Sequence, residues 1–253
     1  MNSFDEMALA YDNTIDWKSR LNREMPLLLS LLKNKKRPRV LDMACGSGRH
    51  SVALVAHNIE VIGFDSSESM IKAAKLHAEK NNVNVQFLVA DMENIKSVVG
   101  GPFDLVICLG NSLALFNNIE ILKSVIEQVH EVLRDNGTFL AQVLNFEEIH
   151  WTGFRTFPMK KGKLSNGEEV TFARMFEHTD YPFSSTLVMS AFRETNGTWT
   201  SDVSTQKVLN LNYKILRGVF DEVGFSDIRV YADYMGSQFD HKNSRNMIFQ
   251  VMR

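Results

Sequence analysis

A short apolar strand, Arg39 to Met43, runs through Asp42-Met43-Ala44-Cys45-Gly46-Ser47-Gly48 straight into a helix that begins at Arg49. A strand that turns through a glycine loop into a helix commits the chain to a crossover unit. Such units are accommodated by a parallel sheet with helices packed on its faces. Gly46 and Gly48 permit the tight turn and remove Cβ atoms where a ligand would approach the backbone. The helix start aims unpaired N–H groups and the positive end of its dipole at whatever lies over the loop. A glycine pair alone is common in sharp turns, so the surrounding pattern must decide.

That pattern alternates for about a hundred residues. Arg49 to His57 reads as a helix and Glu60 to Phe64 as a strand. A helix follows from Ser67 to Asn81 with Ser66 as its N-cap. Val85 to Val89 and Phe103 to Leu109 read as strands, and Ile119 to Leu133 as a long amphipathic helix stopped at Asn136-Gly137. A fifth strand is expected at Thr138 to Leu144. Ahead of this series, the leucines of Leu21 to Leu32 fall on a helical period around Pro26, which predicts a helix kinked or starting near that proline.

Beyond Asn145 the pattern becomes β-rich, with candidate strands at Val170–Phe176, Thr186–Phe192 and Thr198–Val208. Ser165-Asn166-Gly167 and Asn196-Gly197 mark turns, the second a hairpin signal because Asn-Gly tolerates positive φ. A helix at Tyr213 to Val223 is closed by Gly224, and strands at Asp227–Tyr234 and Asn246–Met252 end the chain as a hairpin across a short polar loop. The expected fold is α/β: a Rossmann-like, doubly wound, mostly parallel seven-stranded sheet with a C-terminal antiparallel hairpin. One domain over 1–253 is expected, divided into a helical arm (1–36), a ligand-binding core (37–150), a β-rich insertion (151–211) and the end of the sheet (212–253).

Two carboxylates follow the second and third strands. Asp65 is placed to accept hydrogen bonds from both hydroxyls of a ribose, and Asp91 with Met92 to meet an adenine ring. Either aspartate alone reads equally well as a cap for the turn after it. Together they line one crevice at the carboxyl ends of the strands.

At this point the sequence resembles class I S-adenosylmethionine-dependent methyltransferases, from the N-terminal helix to the last strand. Val40-Leu41-Asp42-Met43-Ala44-Cys45-Gly46-Ser47-Gly48 and Val106-Ile107-Cys108-Leu109-Gly110-Asn111-Ser112 are similar to the glycine N-methyltransferase group. The resemblance implies S-adenosylmethionine as cofactor and S-adenosylhomocysteine as product. It implies that Gly46 and Gly48 border the methionine part, Asp65 the ribose, and Asp91 and Met92 the adenine. Asp42, Ala44, Ser66, Met70, Leu109 and Asn111 would complete that site. Asp16-Trp17-Lys18-Ser19-Arg20 resembles the family's N-terminal arm, in which Arg20 would pair with the cofactor carboxylate. In that group an arginine after the fifth strand holds the glycine carboxylate. Here Gln142-Val143-Leu144-Asn145-Phe146 carries Leu144 at that place, which argues against glycine held in the same way.

The implied reaction is methyl transfer to a small molecule, most simply to an amine nitrogen, driven by alignment of the reactants with little acid–base help. Tyr11, Asn111, Asn145, His150 and Trp151 are candidates for the acceptor pocket, with Arg174 and Tyr213 reaching from the insertion. Tyr11, Asn111 and His150 are the candidate catalytic residues, His150 as a general base.

A nicotinamide-dependent oxidoreductase would share the first loop, but the third glycine of its fingerprint is Ser51 here. A non-catalytic cofactor-binding protein is the alternative outside enzymes. Net charge is −2, so no global positive field draws nucleic acid. The N-terminus has no signal-peptide pattern, and no apolar run is long enough to span a membrane. Two distant cysteines make no disulfide framework. A cytoplasmic monomer or homodimer with no metal, nucleic-acid or membrane partner is therefore expected.

Overall fold

The computed structural model describes residues 3–164 and 166–253. In chain order the elements begin α1 (Ser3–Asp12), α2 (Trp17–Leu32), β1 (Arg39–Met43), α3 (Arg49–Val55), β2 (Glu60–Asp65), α4 (Glu68–Lys80) and β3 (Gln86–Val89). They continue through α5 (Ile95–Val98), β4 (Phe103–Cys108), α6 (Ile119–Val132), β5 (Leu133–Leu144) and α7 (Phe146–Thr152). Four strands follow, β6 (Lys160–Lys163), β7 (Glu169–Asp180), β8 (Ser184–Thr195) and β9 (Thr198–Leu209). The chain ends with α8 (Tyr213–Val223), β10 (Ser226–Tyr231) and β11 (Asn246–Met252).

Seven strands form one sheet in the order β10-β11-β5-β4-β1-β2-β3, parallel except for β11, which runs antiparallel to both neighbours. Strand β4 is buried along its whole length, as a central strand covered on both faces must be. Its side chains alternate between the two helical layers. Leu105 and Ile107 meet Leu28 of α2 and Leu54 of α3 on one face. Val106 and Cys108 join Leu122, Ile126 and Val129 of α6 and Phe220 of α8 on the other. The chain winds outward from β1 to β3, then restarts on the other side of β1 with β4. This reversal opens a crevice at the carboxyl ends of β1 and β4, where open α/β sheets bind ligands. The expected fold class is therefore the observed one.

Strands β6 to β9 make a second, antiparallel sheet. At its β8–β9 hairpin Asn196 and Gly197 both take positive φ between the paired Thr195 and Thr198, as an Asn-Gly turn requires. Of the other turn signal, Ser165 lies outside the described residues, and Gly167 donates its N–H back to the Leu164 carbonyl.

Several boundaries differ from the sequence pattern. Helix α2 starts at Trp17 with Asp16 as its cap, and runs through Pro26 without ending there. The proline removes one amide donor from a helix otherwise anchored by buried Leu28 and Leu32. The cap of α4 is Ser67, whose Oγ accepts from the Met70 N–H at 3.2 Å, while Ser66 is exposed. Asn136-Gly137 is no helix stop but an irregularity inside β5, with Leu133 paired to Phe103 before it and Thr138 to Leu105 after it. Helix α1 falls within the helical arm expected over 1–36, although no periodic signal marks it as a separate helix. Residues 232–245 between β10 and β11 are more than a short polar loop, since they bury Tyr234. No helix among the described residues is long and apolar enough to cross a membrane.

Candidate active site

The loop after β1 is held in left-handed backbone, with φ of 52° at Ala44, 54° at Gly46 and 71° at Gly48. Its two glycines do different work. A Cβ on Gly46 would meet nothing within 4 Å, so this position faces the open crevice. A Cβ on Gly48 would lie 2.6 Å from Phe87 Cζ and 2.8 Å from Ala74 Cβ, so this glycine lets α3 pack against α4 and β3. Asp65 closes the loop from the end of β2. Its Oδ2 accepts from the Gly46 N–H at 2.9 Å and its Oδ1 from the Ser67 N–H at 3.0 Å. Asp42 is buried and accepts from Ser51 Oγ at 2.6 Å. Burial pushes its carboxyl above the usual range. Ser51, at the place of the oxidoreductase fingerprint's third glycine, thus spends its hydroxyl on the first strand's aspartate.

The N-terminal arm covers this loop. Ser47 Oγ donates to Asp12 Oδ2 at 2.6 Å, and Trp17 Nε1 donates to the Asp12 carbonyl at 3.1 Å. Arg20 sits 4.8 Å from the Trp17 ring centroid and gives its Nε to Glu24 Oε1 at 2.9 Å. A Cβ on Gly110 would stand 3.7 Å from Arg20 Nη2, which places the guanidinium tip beside the loop after β4. Glu24 is almost wholly buried and also meets His50 Nε2 at 2.6 Å. The carboxylate thus fixes Arg20 from behind and leaves its outer nitrogens toward the crevice.

A crevice of about 130 Å³ is bounded by Asp12, Trp17, Arg20, Asp42, Ala44, Gly46 and Leu109. It shares Ile15, Arg20 and Gly110 with a larger cleft of about 700 Å³ that extends between the main sheet and the second sheet. Asn111 and Tyr11 line that cleft. Asn111 takes φ of 72° and accepts the Leu144 N–H on Oδ1 at 2.8 Å. Its own N–H donates to the Gln142 carbonyl at 3.1 Å. An asparagine suits this place because it tolerates left-handed backbone and its amide also joins β4 to β5. Burial raises the Tyr11 phenol above its ordinary range, opposed by the charges of Arg174 and Arg20.

Other candidates lie elsewhere. Asp91 is exposed and caps the turn after β3, accepting the Glu93 N–H at 3.0 Å. Met92 packs half-buried against the core. Neither of these, nor Ser66 or Met70, borders the crevice or the cleft. His150 and Trp151 line a separate cleft with Tyr181, Asn210 and Lys242, away from Arg20 and Asn111. Asn145 is fully buried and structural, capping α7 and donating to the carbonyls of His241 and Ser244. Tyr213 stacks on Phe239 and Phe249, whereas Arg174 does reach the cleft. The Cys45 and Cys108 thiols are both pushed up, chiefly by burial, and are packing groups. Asp12, Ser47, Lys160 and Phe157 carry no signal in the sequence that marks them for the site. Only the pairing of the arm and the second sheet with the loop brings them to the site.

The residues present suit S-adenosylmethionine. Open space over Gly46 and the outer nitrogens of Arg20 suit a carboxylate end, and Asp65, which accepts from Gly46 and Ser67, stands at the end of β2 beside that loop. Comparison with known proteins agrees. A family described as a methyltransferase domain matches residues 34–210. A glycine/sarcosine N-methyltransferase from Parasynechococcus marenigrum is 29% identical over 225 residues, covering 88% of this chain and 76% of that protein. An S-adenosylmethionine-dependent methyltransferase from Clostridium acetobutylicum superposes with a TM-score of 0.78 over 99% of both chains at 16% identity. An amino pentose methyltransferase from Micromonospora echinaspora, solved with S-adenosylmethionine bound, gives a TM-score of 0.69 over 94% of this chain and 92% of its own at 14% identity. The chain belongs to the methyltransferase domain family and is a class I S-adenosylmethionine-dependent methyltransferase.

Proposed function

We propose that this enzyme methylates an amine nitrogen of a small molecule bound in the 700 Å³ cleft. The carrying observation is the continuity of that cleft with the crevice under the arm, through the shared Ile15, Arg20 and Gly110. The name of the Parasynechococcus relative, an N-methyltransferase, supports nitrogen as the acceptor atom.

S-adenosylmethionine supplies a methyl group on a positively charged sulfur. Arg20 would hold its carboxylate, the loop at Gly46 its methionine part and Asp65 its ribose; Asp91 and Met92, which border neither cavity, are left without a role. The chain's own contribution is then placement. Asn111 and Tyr11 orient the amine from the wall of the cleft, and the second sheet keeps water from the reacting atoms. An amine that arrives neutral needs no base to attack, and its proton can leave to solvent afterwards. Positioning of this kind is worth up to roughly 7–11 kcal/mol, enough to carry the rate without a histidine in the cleft.

Calorimetric titration with S-adenosylmethionine, S-adenosylhomocysteine and NAD(H) tests the first half. Micromolar binding of the first two and none of NAD(H) is expected, and the reverse would overturn the proposal. A screen of primary and secondary amines for methyl transfer tests the second half. Turnover only with hydroxyl or carbon acceptors would remove nitrogen as the target.

A further inference from the structure

Two cations in the cleft have no anionic partner among the residues whose side chains are described, 8–164, 166–178 and 180–253. Arg174 comes from β7 between Phe172 and Phe176, alternate residues that share one face of the strand. Its guanidinium carbon stands 4.4 Å from the Tyr11 ring centroid and 4.4 Å from that of Phe157. Two aromatic rings therefore cover it, while its N–H donors radiate in the plane of the group. Among the residues whose side chains are described, no carboxylate or other side-chain acceptor takes one of those donors. Lys160 stands opposite Phe172 in the β6–β7 register, with its ammonium 5.6 Å from the Tyr11 ring centroid and no ion pair to any acid whose side chain is described.

The acids of the cleft are already committed. Glu24 is held by Arg20 and His50. Asp233 accepts the N–H groups of Met235 and Ser237 and the Ser237 hydroxyl. Desolvation, followed by the neighbouring charges of Arg174 and Arg20, pushes the Lys160 ammonium down. Burial likewise lowers Arg174. Holding two cations together in a partly buried place is unfavourable unless something compensates them.

We propose that Arg174 and Lys160 form an oxyanion subsite that binds a carboxylate or phosphate of the methyl acceptor. This rests on the proposed placement of the acceptor in the cleft. The cofactor's own carboxylate has Arg20, and neither Arg174 nor Lys160 borders the crevice beneath the arm. Leu115, Phe157, Phe176 and Leu187 also line this cleft, so the acceptor would carry an apolar body as well. A cleft of about 700 Å³ has room for such a molecule.

The test uses the full chain loaded with S-adenosylhomocysteine and three probes, 3-phenylpropionate, phenyl phosphate and neutral 3-phenylpropan-1-ol, in calorimetry. At least one anion should bind about tenfold or more tighter than the alcohol, as charge-assisted bidentate contacts predict. Which anion wins distinguishes carboxylate from phosphate. Arg174→Met should abolish that preference, Arg174→Lys should keep part of it, and Lys160→Met should weaken it. Affinity for S-adenosylhomocysteine should stay within about twofold in all three, because Arg20 is untouched. The conservative lysine variant guards against misfolding as the cause of a loss. No anion preference in the wild type, or the same preference in folded Arg174→Met, would overturn the proposal. So would a large loss of S-adenosylhomocysteine affinity in that variant, which would assign Arg174 to the cofactor. Failure of the wild type to bind S-adenosylhomocysteine at all would instead remove the functional reading on which the subsite rests.

Discussion

Ser47 Oγ donates a 2.6 Å hydrogen bond to Asp12 Oδ2, and both side chains are buried. This bond ties the end of α1 to the glycine loop and helps to hold the arm over the crevice. Hydrogen bonds to a charged group contribute about 1.5–3 kcal/mol. Asp12→Ala and Ser47→Ala should each weaken S-adenosylhomocysteine binding by roughly tenfold, as measured by calorimetry. The double variant should lose little more than either single one, because the pair acts as a unit. Fully additive losses would mean that the arm is held by other contacts.

Gly46 and Gly48 separate binding from stability. Gly48→Ala forces a Cβ to 2.6 Å from Phe87 in left-handed backbone. Overpacking and backbone strain together should cost roughly 2–5 kcal/mol, lowering Tm by on the order of 5–15 °C. Gly46→Ala has open space, so only the backbone term of about 1–2 kcal/mol applies to the fold. Its methyl group would intrude on the cofactor, and S-adenosylhomocysteine affinity should fall while Tm changes by only a few degrees. Calorimetry and thermal unfolding of the two variants check this division. Equal loss of Tm in both would sink it.

Much of this arrangement is legible in the sequence because it is local. The periods of β1, α3 and β4 give the crossover sheet, and the loop after β1 announces itself through Gly46 and Gly48. What the sequence hides is carried by contacts between distant segments. Asp12 and Ser47 are 35 positions apart, and nothing local marks either as a partner. Arg174 is offered by the sequence only as one of two residues that reach from the insertion, and its seat between Tyr11 and Phe157 comes from the fold. Ser66 and Ser67 are indistinguishable by type, and only the helix geometry selects Ser67 as the cap. His150 illustrates the opposite error: closeness to β5 in sequence put it at the crevice, whereas α7 carries it to another cleft.

His150 should accordingly be dispensable for chemistry. Desolvation, with the nearby His178, lowers its pKa, and its buried Nε2 has no hydrogen-bond partner. A true general base contributes about 10²–10⁴ in rate. His150→Gln should change kcat by less than about threefold, whereas Asn111→Ala at the cleft wall should lower it by tenfold or more. Single-turnover methyl transfer with the best amine of the screen gives the comparison. A hundredfold loss in folded His150→Gln would return this residue to the mechanism.

Glu24 sets an acid limit on the site. Burial by itself would push this carboxyl up, but the His50 hydrogen bond and the Arg20 charge overcome it and hold it below the ordinary range. A depressed carboxyl contributes stability that is fully present above its unfolded value, near 4.5, and is lost as pH falls through the lower folded value. Glu24→Gln should cost about 3 kcal/mol near neutral pH, since it leaves Arg20 without its buried counter-charge. Urea unfolding of both proteins at a series of pH values should show that gap intact down to about pH 5 and closing below pH 4.5. S-adenosylhomocysteine affinity of the variant should fall in parallel at neutral pH, because Arg20 loses the group that aims it. A stability gap that is the same at pH 7 and pH 3.5 would show that ionised Glu24 is not what holds this corner of the site together.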